Sequence, residues 1–458
     1  MDPQRAETHL RLIAEAQLRL PPPRGGSDTR AERVWFAATT LTAAGALDVE
    51  PAHRAVADFE AATALRPGAA LSRARYAERP LWTALRPPEP PLRAADWAAG
   101  LPLDPATALV IEDAGRLCEL RPLGLVSSDR GMALSLCLRW LRPGASAAAG
   151  GRTRPPERPP QPALVVADDL GTAYRVRWPG AWPQYTAHGG RWDVQLAVTP
   201  ALPARARLLS VGGGPGSAAL EIPVQPVPRV SRVGTQPAAG GVGERMLDAA
   251  ARELLLAPPE GRRRAAERTT ALRDTLVGAG VLDPPSPAAA RLAALGRRLG
   301  LELGEHPGSD ALPRSWQDVL ASRDAHDGPE ALAGFAVPLP PLDGAGFAVN
   351  GLRSTADALI LHLYARGWQP RGPNLPSPGA DPVDLPPDPS VALQCRDDTG
   401  RWHLTESTRW WFADGAALIE ARLTPPLHPA ASALEVTVTG RAEQAGATVT
   451  LPWRGAET

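Results

Sequence analysis

Two hydrophobic rhythms alternate along this chain, and each is met twice. Leu10, Ile13, Gln17 and Leu20 fall near one face of a helix, as do Met246, Ala250 and Leu254 further on. Gly45 and Gly280 stand where a second helix should stop, and third helices are predicted at about Glu50 to Leu65 and Ala288 to Leu303. The rhythm then shortens to two. Leu134, Leu136, Leu138 and Trp140 point one way along a strand, as do Leu359, Leu361 and Leu363. Trp192 to Val198 and Ile419 to Leu423 alternate in the same manner, with final strands around Leu220 and Val449.

Short matches recur in one order. GALD from Gly45 returns as GVLD from Gly280, and ALSLCLRW from Ala133 as ALILHLYA from Ala358. DDLG from Asp168 returns as DDTG from Asp397, and TPALPA from Thr199 as TPPLHPA from Thr424. This order predicts an α+β fold: a tandem duplication of a unit of roughly 220 residues, a small helical bundle followed by an antiparallel immunoglobulin-like sandwich. The expected divisions are a helical segment at 1–105, a sandwich at 106–231, a Gly/Pro-rich linker at 232–243, a helical segment at 244–333 and a sandwich at 334–458. Two Pro-rich segments, Arg142 to Pro162 and Gln369 to Ser390, read as loops.

Composition narrows the chemistry. The 49 basic residues balance the 49 acidic ones, so no net field draws the chain to nucleic acid or an anionic membrane. Apolar runs fall short of the ~18 residues of a membrane span, and the charged start does not read as a signal peptide, so a cytoplasmic protein is expected. Cys118, Cys137 and Cys395 lack metal-site spacing and read as reduced thiols, although Cys118 and Cys137 could face each other across a hairpin centred on Ser127 and Ser128.

Each candidate site has a plainer reading. Asp168 to Gly171 and Asp397 to Gly400 carry paired carboxylates, but Asp followed three residues later by Gly is a type I turn signature, and the further oxygens that calcium needs are missing. The histidines lack counterparts between the copies; His362 is aligned with Cys137, and His403 falls close to Tyr174. No metal, no cofactor and no catalytic residue is assigned. The expected contact surface comprises Trp410 and Trp411, which cannot share one face of a strand, together with Trp182 and the arginine run Arg262, Arg263 and Arg264 at a helix start.

The GALD helix end, the LSLCLRW strand, the DDLGTAY hairpin and TPALP together resemble a group of uncharacterised, actinobacterial-type proteins of high-GC bacteria. These have a short helical region followed by one immunoglobulin-like sandwich carrying a DDxGTxY hairpin. The resemblance implies a fold and transfers no activity; the second copy departs from it at Arg401 and Trp402. The sequence therefore favours a non-enzymatic interaction or structural protein with an unknown protein partner. The alternative is a hydrolase or a small-ligand or sugar-binding protein with a site at the helical/sandwich junction, and nucleic-acid binding is the weakest reading.

Overall fold

The computed structural model describes residues 2–21, 29–63, 97–113, 116–141, 160–179, 184–186, 189–213, 219–224, 232–303, 312–342, 344–367, 392–413, 416–440 and 443–451. Within them the fold is mixed α+β. Helix α1 (Pro3–Leu18) starts at Asp2, whose carboxylate accepts from the Gln4 amide at 3.0 Å, and it buries Ala6, Leu10 and Ala14 along one stripe. It is followed by α2 (Thr29–Ala43) and α3 (Val49–Thr63). The second helical segment comprises α4 (Val242–Leu256), α5 (Arg262–Gly278), α6 (Pro287–Leu299) and α7 (Arg314–Ser322). Gly45 and Gly280 close α2 and α5 as read from the sequence. Both have positive φ, and the amides after them reach back to Leu41 and Leu276, each at 2.9 Å.

The helices of the two segments share one core. Leu10, Trp35 and Phe59 belong to the same buried cluster as Met246, Leu276 and Trp316. Arg5 of α1 donates to the carbonyl of Gly278 at 3.1 Å, placing a cation where the end of α5 has carbonyls without helical partners. Leu404, from a strand of the second half, is buried in that cluster as well, which seats the helices on the sheet.

The first strand-rich stretch holds β1 (Trp97–Pro102), β2 (Leu109–Asp113), β3 (Arg116–Ser128), β4 (Met132–Leu141), β5 (Val165–Asp168), β6 (Arg175–Arg177), β7 (Gln184–Thr186), β8 (Gly189–Thr199), β9 (Leu208–Gly212), β10 (Ala219–Pro223) and β11 (Arg232–Pro237). The second holds β12 (Ala331–Ala333), β13 (Val337–Pro338), β14 (Gly346–Ser354), β15 (Leu359–Arg366), β16 (Ala392–Asp397), β17 (Trp402–Ala413), β18 (Ala416–Thr424), β19 (Ala433–Thr439) and β20 (Glu443–Thr450). All the pairings are antiparallel. One sheet runs β1-β3-β4-β8-β6, with β2 on β3 and β7 on β8, and a smaller one runs β10-β9-β5. The second half forms one sheet, β11-β20-β19-β16-β17-β18-β15-β14-β12, with β13 on β14. Neighbours follow the same order in both halves: β3-β4-β8-β6 against β14-β15-β18-β17, and β5-β9-β10 against β16-β19-β20. Strand β17 pairs with both β18 and β16, and so joins what remain two sheets in the first half.

Several expectations need correction. The segment expected as a linker, 232–243, contains β11, which pairs with β20 and so belongs to the second sheet. Strands β1 and β12 begin inside the segments expected to be helical. Cys118 and Cys137 do not face each other. The hairpin turns at Ser128 to Gly131, and a bulge at Leu123 shifts the register, so Cys118 sits opposite Trp140 and Cys137 opposite Arg121. All three cysteines are buried and free of disulfides. Across its own strand pair Cys137 sits opposite Asp193, and His362 sits opposite Glu420. Most of the two Pro-rich segments lies outside the described residues.

Candidate functional site

The two Asp-Asp turns are built alike. In the first, Asp168 Oδ1 accepts from the amides of Leu170 (3.0 Å) and Thr172 (2.8 Å), while Oδ2 accepts from the Tyr174 hydroxyl at 2.8 Å. In the second, Asp397 Oδ1 accepts from the amides of Thr399 (3.0 Å) and Arg401 (2.9 Å), while Oδ2 lies 3.5 Å from His403 Nε2. Gly171 and Gly400 donate back to Asp168 and Asp397 at 3.2 and 3.0 Å and have φ of 77° and 95°. The following carboxylates staple each turn to a neighbouring loop. Asp169 accepts from Arg207 N at 2.9 Å, and Asp398 accepts from Ser432 N at 2.9 Å. The carboxylates therefore bend and anchor the backbone. Gly400→Ala is expected to lose about 1 kcal/mol by forcing a Cβ into left-handed backbone, read as a lowered urea midpoint with the slope unchanged.

His403 takes the place that Tyr174 occupies in the first turn. It is fully buried, and its Nδ1 donates to the Pro425 carbonyl at 2.8 Å. Burial pushes the Asp397 carboxyl up, but the nearby His403 ring and the hydrogen bonds from Thr399 and the Arg401 amide outweigh it and hold the group well below the usual carboxylate range. A depressed folded value means that this stabilisation is complete above the unfolded carboxylate pKa of about 4 and is lost as pH falls through the folded value. Urea midpoints between pH 6 and pH 2 should therefore drop on the acid side, and Asp397→Asn should flatten that drop.

The larger concentration of buried polar groups lies where the halves meet. Strands β3, β4 and β8 turn one face to their own apolar core and the other to β14, β15 and β18. Alanines line much of this seam: Ala133 and Ala197 meet Ala336, Ala348 and Ala416. The small side chains allow close backbone approach. Among them sits an ion pair in which Arg353 Nε lies 2.8 and 2.7 Å from the Asp193 oxygens, with side chains 3% and 5% exposed. Gln195 Nε2 donates to the carbonyls of Leu363 (3.1 Å) and Ile419 (2.8 Å), and Asn350 Nδ2 to that of Ala133 (3.0 Å). The Ser128 and Tyr364 hydroxyls meet at 3.1 Å, and Arg366 pairs with Asp129.

Titratable groups in the seam are shifted by burial. Burial lowers His362 to about 4, raises Glu420 to about 7 and pushes the Cys137 thiol far up, which leaves that thiol a poor nucleophile. Among the described residues, Ser135 and His362, on facing sheets near Asp193, make no hydrogen bond to one another, and neither His362 ring nitrogen has a hydrogen-bond partner. One end of the seam opens into a cleft of about 570 Å³, lined by arginines of both halves and by Glu330.

The expected contact residues do not converge. Trp411 is partly buried against the alanine cluster and helps close the seam. The Trp410 backbone lies opposite Ile419, but its side chain lies outside the described residues, as does Trp182. Arg262 Nε donates to the Ala257 carbonyl at the end of α4 (3.3 Å), Arg263 lies 3.8 Å from Glu267 on an exposed face, and Arg264 is exposed. The polar seam went unpredicted. Ser135, Cys137, Asp193 and Gln195 alternate with core residues, a pattern that reads equally well as a solvent face.

No family model and no curated protein matches this chain. Among solved structures, one match is titled "The crystal structure of the conserved domain protein from Bacillus anthracis"; it is 9% identical and spans 76% of this chain and 80% of that one, at a TM-score of 0.15. A likeness at that score carries no argument about fold or function. Among the described residues no helix is long and apolar enough to cross a membrane.

Proposed function

We propose that this chain is a non-enzymatic interaction or structural protein built by duplicating one helix-then-sandwich unit of immunoglobulin-like kind, whose two sandwiches recognise each other and together present surfaces to a protein partner. The observation that carries this reading is the Arg353–Asp193 pair, a charged contact between the halves at a seam of small residues. The shared strand order and the matched Asp-Asp turns support the duplication. For a hydrolase, the histidines offer little. His403 is enclosed and already committed to the turn, and His326, 2.6 Å from Asp357, lies on an open surface.

The test combines affinity capture from the native organism with activity screening. The intact chain is expected to retain a protein partner that the Arg353→Ala chain loses once its seam is weakened. The purified chain is expected to leave ester, amide and glycoside panels unhydrolysed. Hydrolysis that disappears on replacing His326 or His403 would overturn the reading.

A further inference from the structure

The cleft at the end of the seam holds an arrangement that neither the duplication nor the partner reading accounts for. Arg139 on β4 and Arg191 on β8 are direct cross-strand partners. Like charges so placed, with Cβ atoms about 5 Å apart, repel unless an anion lies between or above them. The nearby carboxylates are mostly taken. Glu119 is held by Arg121 at 2.8 Å through Nε, which leaves Arg139 no closer than 3.8 Å to it. Arg353, which also lines the cleft, keeps Asp193 for itself. Among the described residues Arg191 reaches only Glu330, at 3.4 Å, and that carboxylate is 61% exposed. Contacts this long and this wet hold little free energy and can be exchanged for a better acceptor. Asp104 adds a negative charge on the rim, where it accepts from the Ala106 amide.

Four guanidiniums thus converge on one space of about 570 Å³, three from the first half and Arg353 from the second. That volume is within the usual range for small-molecule sites, and its place between two packed units is a common location for them. The geometry points to a binding site for a doubly charged oxyanion, a phosphate group free or carried on a small molecule, clamped by Arg139 and Arg191 with Arg121 and Arg353 around them. Guanidinium forks match such tetrahedral oxyanions bidentately, and a ligand held there bridges the two halves.

The test uses the intact chain in calorimetric titrations at low ionic strength, with inorganic phosphate and a sugar phosphate as separate probes. At least one should bind, and Arg139→Gln and Arg191→Gln should each weaken it by about tenfold or more, while Arg263→Gln, on the exposed face of α5, changes nothing. Tighter binding of the sugar phosphate would identify a phosphorylated metabolite as the ligand, and equal binding would identify phosphate itself. Melting without phosphate gives an independent check. Relief of the arginine–arginine repulsion should leave Arg191→Gln at least as stable as the parent, whereas a merely structural arginine would lower the midpoint when removed. Absence of binding by both probes, or binding that both glutamine variants retain in full, overturns the site.

Discussion

Arg353→Ala is expected to destabilise the protein by about 3–5 kcal/mol, because it leaves the Asp193 carboxylate buried in the seam without its cation. The geometry makes the loss severe, with both side chains almost wholly removed from solvent. Gln195 and Asn350 are already committed to backbone carbonyls, so neither can turn to the stranded charge. The double replacement Asp193→Leu with Arg353→Met is expected to recover most of the loss, since two apolar groups of similar volume need no partner. Urea unfolding of the two single variants and the double variant measures this. A single-variant loss below about 1 kcal/mol would place the pair in contact with water after all.

Gly334→Ala is expected to cost about 3 kcal/mol by wedging the halves apart. A Cβ at that position would fall far inside contact with the Leu103 carbonyl oxygen and 2.9 Å from that of Leu123, both backbone atoms of the facing half. Neither can rotate away as a side chain would. Gly124, across the seam, is pressed in the same manner against the Phe335 carbonyl oxygen. The wedge should show in cysteine chemistry as well as in stability. Cys137, 1% exposed beside the cleft, should begin to react with a thiol reagent, while Cys395, in the core of the second half, stays protected.

Features written in local chemistry were legible in the sequence. Gly45, Gly280, Gly171 and Gly400 each announced a chain reversal, and each has the positive φ that its turn requires. The apolar alternation of β4 and β15 located both strands and their inner faces. Register was harder. The turn at Ser128 to Gly131, later than the centre read at Ser127 and Ser128, displaces Cys118 from Cys137, and the bulge at Leu123 shifts the register by one residue, a slip that no residue type announces. The seam was illegible for a different reason. Alternation tells only that one face of a strand is apolar, and a polar second face is compatible either with water or with another protein surface that satisfies it. Asp193 and Arg353, far apart in sequence, carry nothing that marks them as partners. The arginines of the cleft were hidden likewise, since Arg139 and Arg191 become neighbours only when β4 pairs with β8.

The shared helical core has a thermodynamic corollary. Because α1 to α3 bury their stripes in the same cluster as α4 to α7, and the sheets are tied through Arg353 and Gln195, neither half closes its helical interior alone. Opening one half exposes apolar surface of the other, so slow amide hydrogen exchange in both should report a single global event and the chain should behave as one foldon.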